Sequence, residues 1–350
     1  MKKLTKTLFI LTILSLQIFT ACIPDPPIIV PTTLDTPRRI AACDGKLYVT
    51  CYNPASVICI DTASCKVEKV CVLGNFRPEG VAVSGGRLFV ASSWNSTENG
   101  SYIYDDKIHV VNLSTFEVAT TITVGLNPQQ VHVIDENHMI VNYNGNYGDL
   151  AGGSAIINTT TLEVTQTGQP LTYISVADGM VYGYASVYNA DMTTTTNYVK
   201  MDPNTLSVTP ILNNCNIDNP YSINVFGDNI YITTDGHYTA NGDVHCLRPD
   251  GTQVWQGEVG MLPSKVVTDG QRGYILNEGS WGSNNASLSR VDLSTGDITN
   301  YVFASANGRG LGDVAQDIII YGTKAYIAVS FSNSIEAVSL SDLHSTQIKF

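Results

Sequence analysis

The residues Leu276 to Ser287 read LNEGSWGSNNAS, in which glycines and asparagines surround one tryptophan, Trp281, directly after an apolar run. A glycine-rich turn after a strand can hold a phosphate, but such a site also uses the positive end of a following helix. No helical periodicity follows this stretch. The sequence therefore predicts a loop that displays Trp281 beside Asn277 and Glu278 rather than a phosphate site.

Cysteine and histidine also offer chemistry, but their spacing does not predict a metal centre. Five cysteines fall within about thirty residues without a CxxC pair, one near each successive predicted strand: Cys43, Cys51, Cys59, Cys65 and Cys71. Cys59 and Cys71 could form a disulfide across a hairpin near Ser64, while small buried core side chains are the alternative for most of them. The six histidines show no HExxH or i, i+4 spacing, and only His237 falls in a candidate binding loop.

One pattern, repeated seven times, supplies the elements that position these residues. Each unit has a proline or polar start, a β run, a tight turn rich in Gly, Asn and Asp, and a second β run, followed by a loop and two further β runs. Six units start with proline, at positions 37, 78, 128, 170, 220 and 263, and the seventh starts near Ala315. Four-stranded units of 40 to 50 residues predict an all-β, seven-bladed β-propeller with antiparallel blades, rather than a β-sandwich or a parallel β-helix.

The N-terminus predicts secretion and a lipid anchor. Lysines precede an apolar run too short to span a membrane comfortably, and FTAC ending at Cys22 resembles the bacterial lipobox, in which that cysteine is lipidated. We therefore expect a signal peptide over 1–21, a lipidated Cys22 with a flexible tether over 22–36, and one propeller over 37–350. The C-terminal HSTQIKF reads as a complete fourth strand, so ring closure, including a possible edge strand from residues 27–34, stays open.

The net negative charge of the chain indicates which classes of partner to expect. Removing the signal peptide takes away three lysines and no acids, so the net charge moves from −12 to −15. An acidic chain does not predict nucleic-acid binding, which needs clustered Lys and Arg, and it leaves the N-terminal lipid as the only membrane contact.

The starts of the units and the ends of their second β runs should meet on one face of the ring, where surface loops tend to carry binding residues. Aromatic rings among amide and hydroxyl groups suit a large, partly apolar ligand rich in hydrogen bonds. The candidate ligand-binding residues are Arg38, Arg39, Tyr52, Glu79, Trp94, Asn95, Gln129, Gln130, Tyr143, Asn144, Tyr173, Tyr184, Tyr221, Asp235, His237, Tyr238, Lys265, Asn277, Glu278, Trp281, Gln316 and Asp317. No catalytic residue is predicted.

The repeat resembles the YncE-like, YVTN-type propellers of surface-layer proteins. The segments NEGSWGSNNASLSRVD, ANGRGLGDVAQD and RPEGVAV resemble surface lipoproteins of gut Bacteroidota. That group includes lipoproteins that capture a corrinoid, a vitamin B12-like ligand, and pass it to a TonB-dependent outer-membrane transporter. The resemblance implies the same ligand and partner, a lipid anchor in the outer membrane and exposure on the extracellular side, with no cofactor apart from the corrinoid ligand. The alternatives are a glycan- or protein-binding surface-layer propeller and a metal-dependent hydrolase or lactonase using Glu79, Asn95, Asn144 and Asp235.

Overall fold

The computed structural model describes residues 34–188, 194–213 and 215–349, which form seven four-stranded antiparallel sheets in a ring. The predicted seven-bladed β-propeller is therefore confirmed. Cys22 and residues 27–33, which carry the predicted lipid anchor and most of the possible edge strand, lie outside the described residues.

Each blade is built from four consecutive strands, with the first strand innermost. Blade 1 contains β1 (Asp35–Cys43), β2 (Lys46–Asn53), β3 (Ser56–Asp61) and β4 (Lys66–Val72). Blade 2 contains β5 (Arg77–Ser84), β6 (Arg87–Ser96), β7 (Tyr102–Asn112) and β8 (Glu117–Thr123). Blade 3 contains β9 (Pro128–Val133), β10 (His138–Tyr143), β11 (Gly153–Asn158) and β12 (Val164–Gln166). Blade 4 contains β13 (Tyr173–Ala177), β14 (Met180–Tyr188), β15 (Thr194–Met201) and β16 (Val208–Pro210).

The remaining three blades follow the same order. Blade 5 contains β17 (Pro220–Phe226), β18 (Asn229–Thr234), β19 (Asn241–Leu247) and β20 (Gln253–Met261). Blade 6 contains β21 (Pro263–Thr268), β22 (Arg272–Asn277), β23 (Ser287–Asp292) and β24 (Ile298–Thr299). Blade 7 contains β25 (Ala315–Tyr321), β26 (Lys324–Val329), β27 (Ser334–Ser339) and β28 (Ser345–Lys349). Short helical turns occupy Gly236–Tyr238 and Ser330–Ser332, and one α-helix, α1, spans Val302–Asn307. Within the described ranges no helix is both long and apolar enough to cross a bilayer.

The predicted tight turns all join the first and second strands of a blade. In the turn after β1, Asp44 and Gly45 have φ of 49° and 74°, and in the turn after β13, Asp178 and Gly179 have φ of 49° and 70°. Two consecutive positive φ values match the twist of a two-residue hairpin, and Asp-Gly adopts them at little steric cost. In these blades the turn sequence therefore fixes where the hairpin reverses.

The apolar core is divided among the blade interfaces. Seven clusters of buried side chains occur in the described part of the chain, and each one joins two neighbouring blades. The cluster between blades 7 and 1, for example, packs Ile40, Leu47 and Ile58 against Ala328 and Ile335. Because alternate residues of a strand face opposite sides of its sheet, both faces of each blade are used for packing. No blade can bury its apolar surface alone, so the ring is the stable unit.

The ring closes without sharing a blade between the two ends of the chain. Blade 7 takes all four strands from the C-terminal part, so HSTQIKF contributes the fourth strand β28 as expected. Hydrogen bonds then join blade 1 to blade 7: the backbone N–H of Thr36 donates to Asn333 Oδ1 at 3.0 Å, and that of Ile40 to Asp317 Oδ2 at 2.8 Å. Side-chain bonds and one apolar cluster therefore hold the seam.

The cysteines of blade 1 are not bonded to each other. Each of the seven cysteines in the described residues is a free thiol. Cys59 and Cys71 share one apolar cluster, but strand register pairs Cys59 with Lys69 and Cys71 with Val57. They are thus diagonal neighbours and not directly opposed. Burial raises the pKa of Cys59 to about 11, which keeps this thiol protonated and unreactive.

Candidate functional site

The inner strands begin, and the second strands end, on the same side of the ring, which we call the loop face. β-bulges interrupt the pairing of these two strands in six blades, as between Pro37 and Ile40 in blade 1. A bulge adds one residue to a strand and re-aims its side chains. Consecutive residues such as Arg38 and Arg39 can therefore both line the centre of the loop face.

An open pocket of about 710 Å³, the central pocket, lies on the loop face. Blades 1, 4, 5, 6 and 7 and the links between them form its wall. Its lining residues are Arg38, Arg39, Tyr173, Tyr221, Tyr238, Leu262, Ser264, Glu278, Gly279, Ser280, Trp281, Val314, Gln316 and Phe331. Eight of the residues predicted from the sequence are thus brought together: Arg38, Arg39, Tyr173, Tyr221, Tyr238, Glu278, Trp281 and Gln316.

On the blade 1 side of the pocket, Arg38 is held by an ion pair with Glu79. Its Nη2 lies 3.2 Å from Oε1 of Glu79, whose carboxylate also accepts a hydrogen bond from the Tyr52 hydroxyl. The guanidinium stacks on the Tyr52 ring at 4.8 Å from the centroid. Burial alone would lower the pKa of Arg38, but the surrounding acidic groups, Glu79 foremost, together outweigh it and raise that pKa above its ordinary value. Tyr52 and Glu79, which do not line the pocket, therefore hold the Arg38 guanidinium in its orientation.

On the opposite side, Glu278 is the acceptor of a buried network. Its Oε2 accepts from the Tyr221 hydroxyl at 2.8 Å, and its Oε1 accepts from the Gln316 amide. Burial raises the pKa of Glu278 above its ordinary value of 4.5. Burial, reinforced by the negative charge of Glu278, also raises the pKa of Tyr221. The pocket thus presents carboxylate, phenol and amide groups whose mutual geometry is already fixed.

The raised pKa of Glu278 predicts a pH-dependent stability difference. Between pH 4.5 and the raised value, the folded state binds more protons than the unfolded state, so the ionised carboxyl lowers the free energy of unfolding as pH rises. Glu278→Gln removes this titration, but its amide cannot accept hydrogen bonds at both positions that Tyr221 and Gln316 use. We therefore expect the free energy of unfolding of the variant, relative to that of the wild type, to be higher at pH 7.5 than at pH 4.5. Urea unfolding at several pH values measures this difference, and a difference that does not change with pH would contradict it.

Aromatic side chains form the exposed rim of the pocket. Trp281 is 76% exposed and meets Phe331 edge to face at 6.2 Å between ring centroids, while Tyr238 is 61% exposed and meets Tyr221 in the same way at 6.1 Å. Exposed aromatic rings beside polar groups are typical of surfaces that bind a ligand with apolar faces.

The loop that carries Trp281 is held by specific bonds. The Gly282 N–H donates to Asp313 Oδ2 at 3.0 Å, and the Ser280 N–H donates to Asn285 Oδ1 at 2.8 Å. Gly279 has φ of 77°, and a Cβ there would lie 2.6 Å from the Ala286 nitrogen. Trp281 is displayed on this glycine-rich loop beside Glu278, whereas Asn277, predicted to lie next to them, is fully buried, and the loop is anchored to the link that precedes blade 7.

Below the central pocket, the axial channel contains a charge pair. Lys265 Nζ lies 2.7 Å from Asp317 Oδ1, and both residues line a cavity of about 320 Å³ together with Gln130 and His132. Burial in the channel, reinforced by the positive charge of Lys265, lowers the pKa of His132 to about 4, so its ring is neutral at pH 7. The predicted residues Gln130, Lys265 and Asp317 therefore belong to the channel.

Asp317 and Gln130 also use their side chains to join neighbouring blades. Asp317 accepts from Ile40 of blade 1, and Gln130 Oε1 accepts from the Ile174 N–H of blade 4 at 2.8 Å. An inner strand exposes unpaired backbone groups at its free edge, and buried groups of this kind need partners. These two predicted ligand residues thus have a structural role.

Several predicted ligand residues point away from the central pocket. Tyr143 donates from its hydroxyl to Gln166 of the outermost strand in blade 3 at 2.7 Å, and Asn144 donates to the Tyr147 hydroxyl at 2.9 Å. Tyr184 is buried and bonded to the Pro220 carbonyl at 3.0 Å. These side chains pack within and between blades, so they do not join the central set.

Three further predicted residues have local partners. Asp235 accepts from the His237 N–H at 2.8 Å and caps the short helical turn, while the exposed His237 ring contacts Asn219 at 2.9 Å. Asn277 is fully buried and donates to Ser287 and Ser289. None of the three lines the central pocket.

Trp94 and Gln129 lie in a second cavity on the loop face, which we call the lateral cavity. It has a volume of about 340 Å³ and lies between blades 2 and 3. Its lining residues are Trp94, Tyr102, Tyr104, Asn127, Gln129 and Tyr147. The predicted residue Asn95 lies beside it but donates to the Asn75 carbonyl at 2.7 Å.

Two pocket residues that the sequence did not single out, Leu262 and Val314, come from the links before inner strands. Leu262 and Val314, which precede Pro263 and Ala315, have φ of 53° and 55°. Positive φ is uncommon away from glycine, and the same conformation recurs at Thr36, Asn127 and Asn219, each directly before the proline that starts another unit. The position before the repeated unit start was the sequence signal that could have identified them.

The acidic and amide residues of the lactonase alternative do not form a common site. Glu79 is paired with Arg38, Asn95 with the Asn75 carbonyl, Asn144 with Tyr147, and Asp235 with a backbone N–H. In the described part of the chain, no three His, Cys, Asp or Glu side chains are grouped closely enough to hold a metal ion. The structure therefore offers no observation that favours this alternative.

Comparisons with known proteins identify the architecture. No family model matches the chain, and no curated protein is similar in sequence. The structure is similar to that of the computationally designed Ika8 protein, with 7% identity and a TM-score of 0.53, covering 91% of this chain and 97% of that one. Weaker similarities are to hydrazine synthase from Kuenenia stuttgartiensis (15% identity, 90% of this chain, 80% of that chain, TM-score 0.44) and to a nidogen/laminin complex (12%, 63%, 79%, 0.44). At these identities the likeness to the designed protein shows the fold alone.

Proposed function

We propose that this protein is a surface lipoprotein that captures a corrinoid in the central pocket and passes it to a TonB-dependent outer-membrane transporter. The observation that carries the proposal is the composition of that pocket. Exposed rings of Trp281, Phe331 and Tyr238 rim a floor of fixed polar groups that includes Arg39 and Glu278. The sequence segments around Trp281 and Gln316 that resemble corrinoid-capturing lipoproteins both contribute to this pocket.

The chemistry of a corrinoid matches both the aromatic rim and the polar floor of the central pocket. Its macrocycle has broad apolar faces and edges that carry several amide side chains, which both donate and accept hydrogen bonds. Flat aromatic rings suit the faces, and the alternation of guanidinium, carboxylate and amide groups around the floor suits the amides. The pocket volume of about 710 Å³ lies within the roughly 300–1,000 Å³ that ligand sites occupy, and its open mouth would leave part of so large a ligand uncovered.

The pocket is organised before any ligand binds, which favours tight capture. Arg38 is paired with Glu79, and Glu278 is bonded to Tyr221 and Gln316. Each group sits on or beside a strand of a closed ring, so little side-chain entropy remains to be lost. Capture and release, without bond making or breaking, is the activity that such a rigid face supports.

Delivery to a transporter follows from the proposed location. The lipobox-like FTAC, a lipidated Cys22 and the proline-rich tether after it would attach the domain to the outer membrane, with its loop face free to approach a transporter. A net charge of −15 after removal of the signal peptide makes the lipid, and not charge, the membrane contact.

Calorimetric titration of the mature chain, expressed without its lipid, with cyanocobalamin tests the proposal. We expect one site with Kd of about 1 µM or tighter, which corresponds to about −8 kcal/mol. Dicyanocobinamide, which lacks the nucleotide arm, should also bind if the macrocycle is the part recognised. No heat and no change in corrin absorbance at micromolar concentrations would contradict the proposal.

A further inference from the structure

We propose that the lateral cavity is a second binding site, specific for a neutral saccharide, and that it works independently of the central pocket. Four of its six lining residues are aromatic and two are amides. Its volume of about 340 Å³ is at the small end of the roughly 300–1,000 Å³ found for ligand sites, so it fits a sugar unit better than a corrin macrocycle.

The walls of the lateral cavity are aromatic rings at steep angles to one another. Trp94 and Tyr102 have centroids 5.2 Å apart and planes at 67°, and Tyr104 and Tyr147 have centroids 6.2 Å apart and planes at 66°. Tyr102 is 63% exposed and Tyr147 is 73% exposed. The C–H faces of a pyranose ring pack against such ring faces, which would remove apolar surface of both partners from water.

The floor supplies hydrogen-bonding groups with a defined orientation. Gln129 Nε2 donates to Ser93 Oγ and to Asn127 Oδ1, each at 2.7 Å. These bonds leave Gln129 Oε1 as an acceptor and Asn127 Nδ2 as a donor, and neither atom has a partner among the described residues. A donor and an acceptor from two lining residues of the same aromatic cavity suit sugar hydroxyls, each of which can donate and accept.

The charge of the surroundings favours a neutral ligand. None of the six lining residues carries a formal charge. The Arg77 guanidinium lies 4.1 Å from the Trp94 ring centroid, so the attraction of that ring for a cation is already satisfied. A quaternary ammonium ligand, the other common guest of aromatic cages, would meet this positive charge.

Tyr52 separates the two sites. Its ring meets Trp94 edge to face at 5.9 Å, while its hydroxyl donates to Glu79, the partner of the pocket residue Arg38. No residue lines both the central pocket and the lateral cavity. A ligand in one site therefore does not complete the other, and the two should be separable by mutation.

The test uses the mature chain and four neutral probes: cellohexaose, maltohexaose, mannohexaose and xylohexaose. Saturation-transfer NMR at millimolar sugar identifies a binder, and titration gives its Kd. The site variant is the double substitution Tyr102→Ala and Tyr147→Ala, which removes two exposed side chains and should leave the melting temperature unchanged. Gln129→Leu tests the floor separately. The controls are Tyr301→Ala, at an exposed tyrosine outside both cavities, and Trp281→Ala in the central pocket.

We expect at least one probe to bind the wild type, with affinity reduced tenfold or more in the double variant and in Gln129→Leu, and unchanged in both controls. Cyanocobalamin titration of the double variant should match that of the wild type. The proposal is overturned if none of the four probes binds or if the double variant keeps its affinity. Loss of cyanocobalamin binding in the double variant would also overturn it, because the lateral cavity would then be part of the corrinoid site.

Discussion

Trp281→Ala should weaken cyanocobalamin binding by about 30-fold or more, the loss typical of a central aromatic contact worth about 2 kcal/mol. The side chain is 76% exposed in the free protein and its main ring contact is Phe331, so its contribution to folding is small. On binding, the indole would cover one face of the macrocycle and exclude water from the groups around Glu278. The loss should therefore appear in affinity and not in stability.

Calorimetry of the Trp281→Ala variant measures the affinity for cyanocobalamin, and urea unfolding measures the stability. Tyr301→Ala is the matched control, because Tyr301 is 52% exposed and lies outside the central pocket. The control should bind like the wild type, and both variants should unfold within about 0.5 kcal/mol of it. A loss of less than twofold for Trp281→Ala would show that the corrinoid, if it binds, does not bind under this ring.

Asp317→Ala should lower the free energy of unfolding by about 3–5 kcal/mol, the cost of leaving a buried charge without its partner. Asp317 is 3% exposed, accepts from Lys265 at 2.7 Å, and accepts from the Ile40 N–H at 2.8 Å across the seam between blades 7 and 1. Its removal leaves the Lys265 ammonium in the channel unpaired and the Ile40 amide unsatisfied.

One further variant separates the charge of Asp317 from its hydrogen bonding, and another serves as a surface control. Asp317→Asn keeps an acceptor for Ile40 and should cost less than the alanine variant. Glu117→Ala removes an exposed carboxylate from β8 and should change stability by less than about 0.5 kcal/mol. Equal stability of the Asp317→Ala variant and the wild type in urea unfolding would show that the hydrogen bonds of Asp317 do not stabilise the seam.

The repeat made the fold predictable from the sequence. Turns such as CDGK and ADGM favour hairpins, and the sevenfold repeat of the whole four-strand unit gives the number of blades. The display of Trp281 on a loop was also predictable, because the glycines around it indicate a turn, and Gly279 and Gly282 do adopt positive φ.

Which side chains line the central pocket was less predictable, because the pairing register near a strand end decides where each side chain points. Tyr143 and Trp94 both lie near the ends of second strands, but Tyr143 turns towards Gln166 at the outside of blade 3, and Trp94 turns towards Tyr102. Bulges near the strand ends shift the register, and a shift of one residue moves a side chain to the other face. Long-range partners such as Ile40 for Asp317 lie in another blade, so no local pattern reports them.

A crystal structure of the mature chain with cyanocobalamin, with the ligand located by the anomalous scattering of cobalt, tests whether the central pocket binds a corrinoid. We predict one cobalt peak over the central pocket, with the corrin face against Trp281 and its amides directed towards Arg39, Glu278 and Gln316. A cobalt peak in the lateral cavity or on the face of the ring opposite the loop face, or the absence of any ordered cobalt, would contradict corrinoid binding in the central pocket.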